Sequence, residues 1–355
     1  MQGETIFSVR IEHKVEAIGA NAWDALAARQ PFQSYQWYGF GERAMAGCLP
    51  VYIILSLDGR PAARATFWLV RAEPLPAPPL AQFLLRPLLR RWPLLICRSP
   101  LSNTSGLILP AKYPKGEPPL RRAALEAIIS AAQDEAQNLE ASFLVFDFLE
   151  QEQSNWDDWP SSFTHFQVPD PGTCMEIRWQ SFDEYINQLS KNERKHYKRT
   201  LKKAERMGLR VTRQTSVSDV ETAQALARNV ERRYRSAPNP WLRGMFENLG
   251  MVNGAWLTAA IGNRLVGSEL VLYDGDAQIH TALGLEKDIP YTYLALGYEG
   301  IRLAIEKKMR LLRWGSGAYD FKRRLGFELE CNNYITFHGL NRISRLVASM
   351  TASWV

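Results

Sequence analysis

Residues 277–327, AQIHTALGLEKDIPYTYLALGYEGIRLAIEKKMRLLRWGSGAYDFKRRLGF, leave the chain few folds to choose from. Ile279 to Leu285 is an apolar, β-rich run and reads as a strand. A helix follows from about Pro290, since proline is tolerated in a first helical turn, where its missing N–H has no partner anyway. Leu294, Tyr298, Ile301, Ile305 and Met309 recur at helical spacing and define one buried face. The short run Leu311 to Trp314 is a second strand. Gly315-Ser316-Gly317 then releases the chain into Tyr319-Asp320-Phe321-Lys322-Arg323-Arg324. A strand–helix–strand crossover ending in a glycine-loosened basic loop suits a ligand cradle. An ordinary crossover with a solvated loop has the same pattern.

The segments GLEKDIPYTYLALGYEGIRLAIEKK and GSGAYDFKRRLGFE resemble the C-terminal core of Fem/CelD-type proteins of the GNAT acyltransferase superfamily. The most specific part is the ending Phe321-Lys322-Arg323-Arg324-Leu325-Gly326-Phe327. The resemblance covers residues 173–340 well and the N-terminal half in outline. It implies an α/β (α+β) fold of tandem GNAT-like acyltransferase domains, each a mixed central sheet flanked by helices.

A pattern in the sequence agrees with this. The hairpin Val51 to Leu57 and Ala62 to Val70 turns at Gly59. A second hairpin, Ala255 to Ile261 and Arg264 to Tyr273, turns at Gly262. Each is followed by a strand, a helix (from Leu120; from about Thr292) and a strand, so one plan occurs twice. The proline-rich stretch 72–100 accounts for the unequal spacing. Pro169-Asp170-Pro171-Gly172 is a linker signal. The expected domains are 1–168, carrying the insertion 72–100, and 173–355.

The resemblance also assigns roles. It implies that an acyl donor lies along the strand with His280 and Leu283. The donor's pyrophosphate would meet the following helix N-terminus near Lys287, Tyr291 and Tyr293, because the first turn of a helix offers unpaired N–H groups. His280 is equally a candidate core residue. Lys322 is implied as the group facing a developing oxyanion or an adjacent phosphate; Tyr319, three residues earlier, is a candidate to donate to the same oxygen or to orient the acceptor. Asp320 or Glu286 is the candidate base. Arg194, with Lys198 and Arg199, is implied as a phosphate ligand, since guanidinium groups grip phosphates with paired hydrogen bonds. One departure stands out. Acetyl-CoA-binding relatives carry a glycine-rich loop before this helix, whereas here no glycine occurs between Gly284 and Gly297. Close backbone approach to a pyrophosphate is harder without glycine.

Charge is unevenly placed. The chain carries a formal +6, yet residues 190–243 hold fifteen Lys/Arg against five Asp/Glu. Such an excess points to an anionic partner, or to a solvated helix face. Residues 181–207 read as one basic helix stopped by Gly208. At 83–91, FLLRPLLRR is an apolar run punctuated by arginines that suits peripheral contact with a membrane. No run of eighteen uncharged apolar residues and no secretory leader pattern is present, so the expected place is the cytoplasm or the inner membrane face. Cys48, Cys97, Cys174 and Cys331 have no metal-like spacing to the five histidines and read as buried thiols, so no metal is expected. No Ser/His/Asp set in recognisable context appears.

The preferred expectation is acyl transfer from acetyl-CoA or another acyl-CoA to a cell-envelope or exopolysaccharide precursor. Two alternatives stand beside it. One is Fem-type transfer from aminoacyl-tRNA to a peptidoglycan precursor, the only case in which nucleic acid is a partner. The other is a silent module that binds an anionic glycan or lipid carrier.

Overall fold

A computed structural model of the chain describes residues 7–27, 30–71, 92–110, 120–150, 153 and 156–352. The chain divides into two compact units, one built from residues 1–169 and 331–355, the other from 170–330.

The first unit opens with β1 (Ser8–Glu12), α1 (Val15–Ile18), α2 (Ala20–Ala27) and α3 (Tyr35–Ala44). Ser34 caps α3 by accepting the Trp37 N–H at 3.1 Å. β2 (Leu49–Leu57) and β3 (Arg60–Val70) form an antiparallel hairpin. Asp58 and Gly59 both take positive φ, as a tight two-residue hairpin turn requires. β4 (Leu94–Cys97), β5 (Leu107–Ile108), α4 (Leu120–Asn138), β6 (Phe143–Leu149) and β7 (Thr164–Gln167) follow. Ala124, Leu125, Ile128, Ile129 and Ala132 recur at helical spacing on α4 and bury against Val51, Ile53, Leu55, Ala65 and Phe67 of the hairpin.

The second unit contains β8 (Thr173–Glu176), α5 (Phe182–Gln188), α6 (Lys191–Arg206), β9 (Leu209–Gln214), α7 (Val220–Tyr234) and α8 (Leu242–Glu247). It continues with β10 (Ala255–Ile261), β11 (Arg264–Asp274), β12 (Ala277–Leu285), α9 (Thr292–Glu306), β13 (Leu311–Trp314), α10 (Tyr319–Arg324) and β14 (Glu328–Leu329). The sheet runs β14-β8-β13-β12-β11-β10-β9, and the β12/β13 pair is parallel. Tyr298, Ile301, Ala304 and Ile305 of α9 pack on Leu312 and Trp314, while Ala295, Leu296 and Leu303 meet Leu257, Val266 and Val271.

The chain then returns to the first unit as β15 (Tyr334–Gly339) and α11 (Arg342–Ala352). The first sheet runs β1-β2-β3-β4-β6-β15-β7, with β5 on β3. The C-terminal segment expected in the second domain is therefore part of the first. Its backbone donors and acceptors are satisfied there, between β6 and β7.

Three local differences from the sequence reading have physical causes. The basic helix is two helices, because Ser190 accepts the Glu193 N–H at 3.2 Å and starts α6 afresh after Leu189. The strand parallel to β6 is β4, inside the proline-rich stretch, whereas β5 pairs with β3. Leu94 to Cys97 are all buried, and burial on both faces suits a parallel strand. Lastly, α9 begins at Thr292 rather than Pro290, with Tyr291 in the left-handed region at φ 70°. The segment 83–91 lies outside the described residues. Of the thiols, Cys97 is buried and its pKa is pushed up by that burial, while Cys331 is exposed.

Candidate functional site

In the second unit, β12 and β13 pair only from Ala277 to His280 against Leu311 to Trp314. Beyond that point β12 continues to Leu285 along β11, and β13 ends. The strands part as a fork. On the far arm β12 carries a bulge: Thr281 pairs with Leu270 and Gly284 with Ser268, so one extra residue is accommodated, and Ala282 takes φ 50°.

A buried polar network fills the base of the fork. Glu269 of β11, 1% exposed, accepts the Trp314 indole N–H at 3.0 Å through Oε1. His280 Nδ1 lies 3.3 Å from Glu269 Oε2. Gln278 Nε2 donates to the Gly300 carbonyl at 2.9 Å and stands 2.9 Å from His280 Nε2. With both amide protons so used, His280 Nε2 accepts and the imidazole proton sits on Nδ1, facing Glu269. Two glycines of α9 make the space. A Cβ at Gly300 would stand 1.9 Å from His280 Cε1, and one at Gly297 would stand 2.3 Å from Trp314 Cη2. The helix lies on these rings only because both positions lack a side chain.

Lys322, 2% exposed, reaches back from α10 to the turn after β13. Its Nζ donates to the carbonyls of Trp314 and Gly315, both at 2.7 Å, and to that of Ser316 at 3.5 Å. Nζ also lies 5.3 Å from the Trp314 ring centroid. Thr173 donates to the Trp314 and Gly315 carbonyls as well. The Lys322 protons are thus spent on main chain, and the residue holds the turn at the mouth of the fork instead of offering a free donor. Burial pushes its pKa down to about 8, against the opposing pull of Glu269 and Glu330. Its ordinary value is 10.5, so the folded state binds the proton less well than the unfolded state does. Stability should therefore rise with pH between about 8 and 10.5. The unfolding free energy of wild type minus that of Lys322→Met should climb by up to about 3 kcal/mol across this window. A difference that stays flat in denaturant titrations from pH 7 to 10.5 would contradict the buried ammonium.

The other expected residues are distributed as follows. Tyr319 donates to the Pro171 carbonyl at 2.9 Å, and burial raises its pKa. Asp320 is exposed, and its carbonyl accepts from Arg324 at 3.2 Å. Glu286 is 3.5 Å from Arg264 at the hairpin edge. Neither carboxylate belongs to the buried network. Tyr293, in the first turn of α9, does join the fork, with ring centroids 5.3 Å from Trp314 and 5.5 Å from Phe321. Burial first, and then Glu269, raises its hydroxyl pKa. Leu283 is half-buried on the free arm of β12, and Lys287 is exposed.

Arg194, expected as a phosphate ligand, is engaged with main chain through one of its nitrogens. Its Nη1 donates to the Asn187 and Leu189 carbonyls at 2.9 and 2.5 Å and fastens the α5–α6 joint. Lys198 and Arg199 are exposed on α6. The cation of α6 that does approach the α9 N-terminus is Lys203, with Nζ 5.6 Å from the Tyr291 ring centroid. That terminus has no side-chain cap and no acidic residue in its first turn. A cavity of about 310 Å³ lies on another flank, between α6, β9 and α9, and its walls include Tyr197, Leu209 and Arg302 but none of the network residues.

Sequence reasoning missed Glu269, Gln278 and Thr173. Glu269 had a signal, being the lone charge in the apolar run Val266 to Tyr273, where an ionisable group is rarely buried without purpose. Among the described residues no group of three or more His, Cys, Asp or Glu is placed to hold a metal ion. Nor is any described helix long and apolar enough to cross a membrane.

The sequence matches the FemAB-like family, described as peptidoglycan biosynthesis/recognition, over residues 14–349. The chain belongs to the FemAB-like family. Among solved structures, FemX is similar at 13% identity with a TM-score of 0.61, over 96% of this chain and 100% of that one. A tandem GNAT protein from the clavulanic acid biosynthesis pathway, solved without AcCoA, is similar at 12% identity, with TM-score 0.55 over 94% and 99%. The C-terminal domain of a putative lysylphosphatidylglycerol synthetase from Agrobacterium fabrum follows at 10%, with TM-score 0.53 over 94% and 95%. At such identities the likeness establishes the fold: this FemAB-like chain is a tandem GNAT-like α/β protein. No curated protein matches it in sequence.

Proposed function

We propose that the second unit transfers an aminoacyl group from an aminoacyl-tRNA to an amine of a peptidoglycan precursor. The observation that carries the choice of donor is the aromatic packing at the end of the β12/β13 pairing. The slender arm of an acyl-CoA would run between the parting strands, and where the β12/β13 pairing ends at Trp314 the rings of Tyr293, Trp314 and Phe321 pack on one another. The loop 286–291 has no glycine and places Asp288 and Tyr291 in the left-handed region, a backbone less suited to close approach by a pyrophosphate. A donor whose reactive ester ends a large polyanion can approach from outside the fork. The exposed cations of α6, among them Lys195, Lys198, Arg199, Lys202 and Arg206, suit that polyanion. Membership of a family tied to peptidoglycan supports the acceptor class.

In the reaction, the amine nitrogen attacks the ester carbonyl and the carbonyl–ribose oxygen bond breaks. An amide forms, and the ribose hydroxyl leaves with the proton given up by the amine. The chain's part is to hold geometry: Lys322 and Thr173 fix the 314–316 turn, and the Glu269–His280–Gln278 network fixes the Trp314 ring above it. Acyl-CoA is a second reading, favoured by the uncapped α9 N-terminus beside Lys203. Single-turnover assays should decide. Labelled aminoacyl-tRNA or labelled acetyl-CoA is mixed with a nucleotide-linked muropeptide bearing a free amine. Label should pass from the tRNA to the muropeptide, and tRNA binding should weaken steeply with salt. Transfer from acetyl-CoA alone would install the second reading, and transfer from neither would end both.

A further inference from the structure

We propose that α11 is a lipid-contact surface by which the chain rests on an anionic bilayer. The orientation of this helix is fixed by its first turn. Asn341 Oδ1 accepts the Ser344 N–H at 2.8 Å, and Ser344 Oγ accepts the Asn341 N–H at 2.9 Å. Gly339 lets the turn press on the end of β15, where a Cβ would stand 2.4 Å from the Arg345 nitrogen. Ser344 and Ala348 are thereby buried, at 0% and 6% exposed.

With about 100° between successive residues, the side turned away from Ser344 carries Arg342, Ile343, Arg345 and Leu346, all exposed. Ile343 at 58% and Leu346 at 61% are the two most exposed large aliphatic side chains among the described residues. The two arginines stand beside them, one turn apart. From Cys331 to Val355 the sequence contains no Asp or Glu, so nothing on this segment offsets them.

Aliphatic side chains bordered by arginines, on a segment without acidic residues, select among occupants. A second copy pairing symmetrically through this face would bring the same arginines together, a like-charge arrangement that opposes association. An anionic bilayer satisfies both parts of the face at once. Ile343 and Leu346 enter the boundary between headgroups and acyl chains, and the guanidinium groups meet lipid phosphates. Two apolar side chains and two cations make the contact reversible rather than permanent. The inference does not depend on the donor or on catalysis.

The test is co-sedimentation of the full chain with extruded vesicles of phosphatidylglycerol and phosphatidylethanolamine, or of phosphatidylcholine alone. The protein should pellet with the anionic vesicles at about 0.05 M salt and largely release at about 0.5 M, where exposed charges are screened. The double variant Ile343→Ser/Leu346→Ser should lower partitioning at least tenfold, and Arg342→Gln/Arg345→Gln several-fold. Leu346→Trp should strengthen it, a gain that misfolding would not imitate. Three results would overturn the inference. The wild-type chain stays in solution, or the serine variant pellets unchanged while Lys198→Glu/Lys202→Glu on α6 releases the protein. In the third, sedimentation velocity without lipid shows a dimer that the serine variant dissolves, which would make a second copy the occupant.

Discussion

Trp314→Ala should cost the second unit about 3–5 kcal/mol of stability, the range for removing a large buried aromatic ring. The ring lies within 5.2–5.5 Å, centroid to centroid, of His280, Tyr293 and Phe327, so the void would be bordered by side chains on several elements. Its indole N–H is also the hydrogen-bond donor to Glu269 Oε1. Removing it strands a buried carboxylate oxygen, which adds about 1–3 kcal/mol. Trp314→Phe separates the two terms, because it refills much of the space and restores no hydrogen bond. Urea titrations followed by circular dichroism should place Trp314→Phe between wild type and Trp314→Ala. Equal stabilities for all three would mean that the network is not what holds the fork.

The largest effect on turnover is expected from Lys322→Met. It preserves length and apolar packing and removes the donors that hold the carbonyls of 314–316. If the turn defines where donor and acceptor meet, its relaxation by an ångström should slow transfer about 100-fold. The loss should fall on kcat more than on KM, and Lys322→Arg should not restore it, since a planar guanidinium cannot reproduce the ammonium's three directions. A variant with unchanged kcat and a raised KM would instead make Lys322 a substrate ligand. That is the role its sequence position suggests and its hydrogen bonds oppose.

The strand–helix–strand of the second unit was legible in residues 277–314 because each element carries a clean period and a clear stop. The helix break at Leu189 was also written in the chain. Ser190-Lys191-Asn192-Glu193 repeats the Ser-x-x-Glu spacing of Ser181 to Glu184, and both serines cap helices. A serine that leads straight into a basic run, as Ser190 does before Lys191, is easily taken for the interior of one long helix. β4 was obscured by the prolines around it, since Pro93 immediately precedes Leu94 and proline is compatible with the start of a strand.

The site divides in the same way. Lys322, Tyr293 and His280 could be named because they lie in or beside the strand–helix–strand unit. Glu269 lies on the neighbouring hairpin, and only the antiparallel pairing of β11 with β12 brings it to His280. The family resemblance implies Arg194 as a phosphate ligand but carries no information about its local acceptors. The carbonyls of Asn187 and Leu189 that occupy it exist as acceptors only once the helix has broken. The membership of β15 was beyond local pattern altogether, since Tyr334 to Gly339 would suit many antiparallel positions and only tertiary pairing selects one.

That pairing has a consequence for how the polypeptide matures. β15 is inserted between β6 and β7, although about 165 residues separate it from β7 along the chain, as the pairing of Asn333 with Val168 and Gln167 illustrates. During synthesis the N-terminal sheet therefore has to wait, with the β6 and β7 edges unsatisfied, until the entire second unit has emerged. Non-local closure of this kind is slow, and open strand edges are prone to aggregation in the interval. The sequence that begins the chain is thus among the last to reach its native state. A fragment ending at the linker would retain that incomplete sheet indefinitely.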